Sequence, residues 1–338
     1  MDSFALDVLN PLVRGTNLER IEARLALTEI LEGRVEGVLI ASFLTALTAK
    51  GETADEMTGF IDAMIDTATT LTVNPDAIDV VGTGGDQLHS VNVSTMAALT
   101  VAGCGVPVAK HGNRAASSSV GSADVLEGLG VRLDAPEDVV RACVEGAGIG
   151  FLFAPTYHHA LGYVTPIRRA LAFRTIFNVL GPLANPALVQ RSLIGVAQRE
   201  LLENMAQVLG TRGTRFTILV NADDGLDELS LGSPSTLHTI TPQEHTVQRV
   251  DAGDELGRHH DVASIRGGDT SHNVHVVRDF LEGKQGPVFD VVCANAALAL
   301  IVAGRATSLT QGFAFASASV VEGHAELALE RLVAISNA

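Results

Sequence analysis

The pattern of apolar and polar positions changes character once along the chain, near residue 75. Before that point its period is helical. Thr16-Asn17-Leu18-Glu19 has capping-box spacing, and apolar residues then recur at Ile21, Leu25, Leu27 and Ile30. Thr53-Ala54-Asp55-Glu56 repeats the box ahead of Met57, Phe60, Ile61 and Ile65, and Gly51 stops the preceding helix. Residues 1–72 therefore read as a small helical domain. From residue 78 onward, short β-rich runs alternate with helical segments. Strands are predicted at 78–81, 106–109, 149–153, 193–196 and 216–220, with antiparallel edge strands within 232–250. Helices are predicted at 95–103, 122–129, 136–147, 200–209, 273–282, 290–303 and 320–335.

This alternation predicts an α/β fold. The small helical domain joins a larger α/β domain, residues 73–338, with a central and mostly parallel sheet. Because helices stand at both ends of the chain, a mid-chain segment near 165–190 is expected to complete the helical domain.

Composition narrows the class. The chain has 338 residues, 46% of them apolar, enough for a sizeable core. No apolar run reaches the roughly 18 residues of a membrane span, and no basic stretch marks a signal peptide at the start. Cys104, Cys143 and Cys293 are odd in number and far apart, which predicts neither zinc spacing nor disulfides and suits a cytoplasmic protein. The formal charge of −16 repels phosphate backbones, so neither a nucleic-acid nor a membrane partner is expected. The charge is uneven. Residues 156–191 carry four arginines and no acid, whereas 221–228 carry four acids and no base. Such segments suit an anion and a metal respectively, and equally two solvated loops.

The first chemical motif is Asp79-Val-Val-Gly-Thr-Gly-Gly-Asp86. Three glycines in four residues after a strand let the backbone approach a ligand and form an anion nest. The spacing fits neither a dinucleotide fingerprint nor a Walker loop, and a plain tight turn remains open. Asn92-Val93-Ser94-Thr95 then opens a helix whose N-terminus offers N–H donors and a positive dipole end; an ordinary N-cap at Ser94 is the alternative. The third motif, Lys110-His111-Gly112-Asn113-Arg114-Ala115-Ala116-Ser117-Ser118, follows a strand and suits a polyanion, with Lys110 and Arg114 as charged donors. Between Asp79 and Ser122 the formal charge is zero, so the acid surplus lies elsewhere.

Together these motifs closely resemble the anthranilate phosphoribosyltransferase family. The resemblance continues through Phe153-Ala154-Pro155, Arg168, Arg174-Thr175-Ile176-Phe177-Asn178, Leu180-Gly181-Pro182-Leu183 and Asn185-Pro186. It extends to Asp224-Gly225-Leu226-Asp227-Glu228, Gly286-Pro287 with Asp290, and Asn295-Ala296-Ala297. It implies an enzyme that transfers the phosphoribosyl group of 5-phosphoribosyl 1-diphosphate to anthranilate in tryptophan biosynthesis. It also implies Mg²⁺ as cofactor and a homodimer formed through the helical domains.

By this resemblance the sugar diphosphate contacts Gly82, Gly85, Asp86, Ser90, Asn92, Val93, Ser94 and Thr95. Further contacts are Lys110, His111, Gly112, Asn113, Arg114, Ala115, Ala116, Ser117, Ser118 and Ser122. Anthranilate is expected against Gly82, Asn113, Pro155, His158 and Arg168, and Mg²⁺ on Ser94, Asp227 and Glu228. Asp86, Lys110, Asn113 and Arg168 carry the catalytic expectation. Arg168 suits a two-pronged grip on a carboxylate, and His111 or His158 is a candidate acceptor for the amine proton. Gln87, His89, Ser119 and the run Tyr157–Tyr163 depart from the family's usual residues. A pyrimidine nucleoside phosphorylase is the nearest rival of similar fold, but the Gly82–Asp86 and Lys110–Arg114 pair suits the diphosphate donor better.

Overall fold

The structure, a computed structural model, describes residues 3–115 and 120–338. Among these residues seven strands form one sheet: β1 (Ile78–Gly82), β2 (Val108–Gly112), β3 (Ile149–Phe153), β4 (Arg191–Gly195), β5 (Phe216–Ala222), β6 (Ser235–Ile240) and β7 (His245–Val250). Their spatial order is β3-β2-β1-β4-β5-β6-β7. Pairing is parallel from β3 through β5 and antiparallel for β6 and β7. The chain runs outward from β1 to β3, then returns to the other side of β1 at β4. Loops leaving β1 and β4 thus diverge, and a crevice opens at their carboxyl ends.

Each face of the sheet has its own core. On one side Val80, Leu193 and Ile218 meet the helices Val93–Gly103, Pro287–Val302 and His324–Ser336. Pro287–Val302 is apolar around nearly its whole circumference, as a helix enclosed by others must be. On the other side Ile194, Leu219 and Ile240 share a core with the helices Arg20–Leu31, Gly37–Lys50, Ala54–Asp66 and Leu202–Thr211. Val164, Ile176, Phe177 and Leu180 pack into that same core. Among the described residues no helix is long and apolar enough to cross a membrane.

Several element ends differ from the sequence reading. The box at Thr53 and Glu56 forms as expected. The first one slips: Glu19 is the N-cap and Glu22 reciprocates, because the helix begins only at Arg20. Ile21 and Leu25 face solvent, and the buried stripe is Ala23, Ala26, Leu27, Ile30 and Leu31. The expected 320–335 helix is two, Leu309–Val321 and His324–Ser336, separated at left-handed Gly323.

Candidate active site

A cavity of about 300 Å³ opens at the carboxyl ends of β1 and β2. The Gly82–Asp86 loop, the start of the Val93–Gly103 helix, residues 110–115, Arg168 and the Asp227–Glu228 turn all line it. Glycine makes this convergence possible. Gly84 and Gly85 are left-handed, at φ +63° and +77°. A Cβ at Gly82 would stand 2.7 Å from Asp227 Oδ2, and one at Gly195 would overlap the Asp227 main-chain oxygen. The bare backbones of β1 and β4 therefore admit the Asp227–Glu228 turn against their ends. Gly84 N–H donates to Asp227 Oδ2 at 2.7 Å, and Asn295 brackets Leu229 with two main-chain bonds of 2.8 and 3.0 Å.

Three carboxylates meet there. Burial raises Asp227 to about 6, with Asp86 pushing the same way. Burial, then Asp227, raises Glu228 well above its ordinary value. Burial also raises Asp86, whose Oδ1 accepts from Leu88 N at 3.1 Å while its buried Oδ2 has no partner. Clustered acids with an unpartnered oxygen form a hard, oxygen-only donor set.

The cations beside them are mostly engaged. Lys110 is buried, and its Nζ donates to the Val80 carbonyl at 2.5 Å and reaches Ser94 Oγ at 3.4 Å. Burial lowers its pKa, while Asp79 and Glu228 oppose that shift. Arg114 stands at the cavity wall, but its guanidinium binds Glu127 at 2.7 and 2.8 Å and Asp124 at 3.0 Å. It is not the free anion donor the loop composition suggested. The helix start is engaged too. Asn92 makes no side-chain cap; its amide binds Val120 O at 3.1 Å and accepts from Asn273 at 3.0 Å. The N–H groups of Val93 and Thr95 bind Val91 O and Asn92 O, and that of Ser94 faces Glu228. The positive end of the helix thus meets a protein carboxylate instead of offering open donors.

Arg168 differs. It is half-buried, its guanidinium lies 5.3 Å over the Phe177 ring, and Nη2 is 3.4 Å from Asn178 Oδ1. Among the described residues it pairs with no carboxylate, although burial disfavours its charge. Beside it the rings of His111 and His158 are 5.3 Å apart. Burial, then His158, lowers His111 to about 3, so its imidazole is neutral. Nδ1 faces Gly181 O at 3.2 Å, leaving the buried Nε2 without a partner. His158 Nε2 faces Ala184 O at 3.0 Å, and the Met64 main chain also holds the ring.

Of the expected contacts, Gly82, Gly85, Asp86, Ser90, Asn92, Val93 and Ser94 line the cavity. Lys110, His111, Gly112, Asn113, Arg114, Ala115, Ser122, His158, Arg168, Asp227 and Glu228 do as well. Two fall outside its lining. Thr95 is a buried first-turn helix residue facing the core, and Pro155 is exposed on the short helix Ala154–Tyr157, which leaves Ala154 on the wall. Ala116, Ser117 and Ser118 lie outside the described residues, as does Ser119.

Family models described as "Glycosyl transferase family, a/b domain" and "Glycosyl transferase family, helical bundle domain" match residues 74–326 and 6–68. An anthranilate phosphoribosyltransferase of Rhodopseudomonas palustris (strain BisA53) is 44% identical, over 98% of this chain and 97% of its own length. That of Thermomicrobium roseum is 45% identical over 98% and 97%. The crystal structure of anthranilate phosphoribosyltransferase from Thermus thermophilus superposes with a TM-score of 0.92 at 38% identity, covering 98% of this chain and all of that one. The enzyme of Saccharomyces cerevisiae in complex with PRPP and Mg superposes at 0.90 and 26% identity, covering 100% and 99%. The chain belongs to the anthranilate phosphoribosyltransferase family.

The family's motif residues have identifiable physical tasks in this chain. Asn185 Nδ2 joins Asp79 Oδ2 at 2.8 Å to Ala109 O at 2.9 Å, locking β1 to β2. Asp290 holds Arg258 and His260 at 2.6 and 2.7 Å. Asp224 accepts from Leu226 N and Ser230 Oγ, so it shapes the acidic turn and does not face the cavity. Arg174, which the sequence motif named without a role, has one in the structure. Arg174 Nη1 donates to Gly84 O at 2.7 Å, its Nε and Nη2 are buried without partners, and Asp227 and Asp86 favour its charge. Its place in the acid-free arginine segment was the available signal. Gln87 and His89, two of the departures from family residues, are left-handed at φ +61° and +53°, which explains why glycine suits those positions.

Proposed function

We infer that this chain transfers the phosphoribosyl group of 5-phosphoribosyl 1-diphosphate to anthranilate, giving N-(5-phosphoribosyl)anthranilate and diphosphate in tryptophan biosynthesis. One juxtaposition carries the reading: a cavity holding the acids Asp86, Asp227 and Glu228 together with Arg168, an arginine lacking an acid partner. The acids fit Mg²⁺, which favours carboxylate and phosphate oxygens, with Ser94, Asp227 and Glu228 as its holders and Asp86 Oδ2 beside them. When bound, the ion supplies neutralisation of charge on the departing diphosphate. Support also comes from the yeast relative, described in complex with PRPP and Mg.

The chain's own groups position the reactants. Arg168 grips the anthranilate carboxylate, flanked by Gly82 and Asn113. His111, neutral with Nε2 open, accepts a hydrogen bond from the amine and orients it. His158 has its ring committed to main-chain carbonyls and supports His111. An aniline-type amine is neutral at pH 7, so positioning and electrostatics provide most of the acceleration. Arg174 fixes the glycine loop, and Lys110 supplies the buried charge that faces Glu228.

We further propose that the 165–190 segment completes the helical domain of residues 1–72, supported by Ile176, Phe177 and Leu180, which pack in one core with Phe43, Phe60 and Met64. A homodimer through that unit is supported by exposed Leu6, Val13 and Val38 and by the groove beside Val13 and Val38. A cytoplasmic location is supported by the three free cysteines. The decisive assay follows loss of anthranilate fluorescence with the sugar diphosphate present. Consumption that needs both donor and Mg²⁺ supports the proposal, and none under those conditions refutes it.

A further inference from the structure

A second cluster of ligating side chains lies at the antiparallel edge of the sheet. In the β6–β7 register Ile240 opposes His245 and His238 opposes Val247. His238, Ile240, His245 and Val247 therefore share one face of the hairpin. That face is fixed by Ile240, which packs in the core containing Leu202, Met205 and Ala206 of the Leu202–Thr211 helix. Glu203 stands in the first turn of this helix. His238 Nδ1 and His245 Nε2 are 2.9 Å apart, and ligand atoms of Glu203, His238 and His245 all lie within 4.8 Å of one another. None of the three lines the cavity described above.

We propose that Glu203, His238 and His245 form a binding site for a zinc-class divalent metal ion, which ties the edge hairpin to the helix. Two imidazoles and a carboxylate are a recognised zinc ligand set, leaving one position for water. Bonds of about 2.0–2.1 Å put tetrahedral ligands roughly 3.4 Å apart, so the two rings need to part by about half an ångström. Both His245 and Glu203 are exposed and can make that adjustment, while buried His238 is the fixed element. Gln207 Nε2 donates to Glu203 Oε1 at 3.2 Å and holds the carboxylate. Imidazole donors select this ion class over Mg²⁺, which seeks oxygen, so this site and the carboxylate site are chemically distinct.

The test is calorimetric titration of metal-free, full-length protein with zinc chloride in excess Mg²⁺. One equivalent should bind. His245→Ala and Glu203→Gln, both at exposed positions, should each weaken binding by at least about 100-fold. His259→Ala, at an exposed histidine elsewhere, should leave it unchanged. Co²⁺ should give visible absorption of a four-coordinate site in the parent protein and lose it in the first two variants. The proposal is overturned if the parent binds no zinc, or if His245→Ala retains the parent affinity. It is equally overturned if Asp227→Asn with Glu228→Gln removes zinc binding while His245→Ala does not.

Discussion

Replacing Arg168 with alanine isolates the proposed carboxylate grip. The side chain makes little use of its charge within the protein: a stretched 3.4 Å bond to Asn178 and a place 5.3 Å over Phe177. The ring contact is worth about 0.5–1 kcal/mol, so the fold should lose no more than about 1 kcal/mol. Two charge-assisted bonds to a substrate carboxylate are each worth about 1.5–3 kcal/mol, and partial solvent access favours the lower value. Their loss should lower kcat/KM for anthranilate by roughly 3 kcal/mol, on the order of 100-fold. Arg168→Lys keeps the charge but loses the planar fork and its stacking, so it should recover only about a tenth of the parent value. Steady-state fluorescence with each substrate varied in turn separates the terms, and urea unfolding reports the stability. An equal loss in kcat/KM for the sugar diphosphate would refute the grip, as would an anthranilate kcat/KM within about threefold of the parent.

Asp227→Asn with Glu228→Gln should abolish Mg²⁺-dependent turnover yet raise the melting temperature of metal-free protein, because both acids are buried against their tendency to ionise; retained turnover or a lower melting temperature would count against the assignment. Asp79, fully buried and raised by that burial from 3.8 to about 6, favours the folded state in its protonated form. Its contribution is present below pH 3.8 and lost as pH rises through about 6, a change on the order of 3 kcal/mol. Asp79→Asn should therefore flatten the fall in urea-measured stability between those values, and an unchanged slope would exclude the burial argument. Gln87→Gly should stabilise the protein by about 0.5 kcal/mol, because an exposed left-handed residue is relieved while glycine adds unfolded-state entropy; destabilisation in the same titration would show that the Gln87 side chain has a role.

The fold was legible because period and composition change together near residue 75, and because parallel strands in a covered sheet are short apolar runs. Boundaries slipped where long-range geometry decided them. β2 begins at Val108, two residues later than expected, since Pro107 has no N–H for the ladder and offers only its carbonyl, to Ile78. The positions of most cavity residues were legible for a related reason: their glycines and polar groups cluster within single loops. How those groups are paired was not. The charge between Asp79 and Ser122 sums to zero only because Asp124 and Glu127 lie just past that window, and one helical turn brings both onto Arg114. Likewise the helix beginning at Val93 looks like an anion site until the chain returns, more than 130 residues later, with Glu228. Local sequence shows which charges a loop carries, whereas the tertiary fold determines which are neutralised before a ligand arrives. Here the loop lysine and arginine are engaged, and Arg168, which the loop does not contain, is the cation left facing the cavity without an acid partner among the described residues.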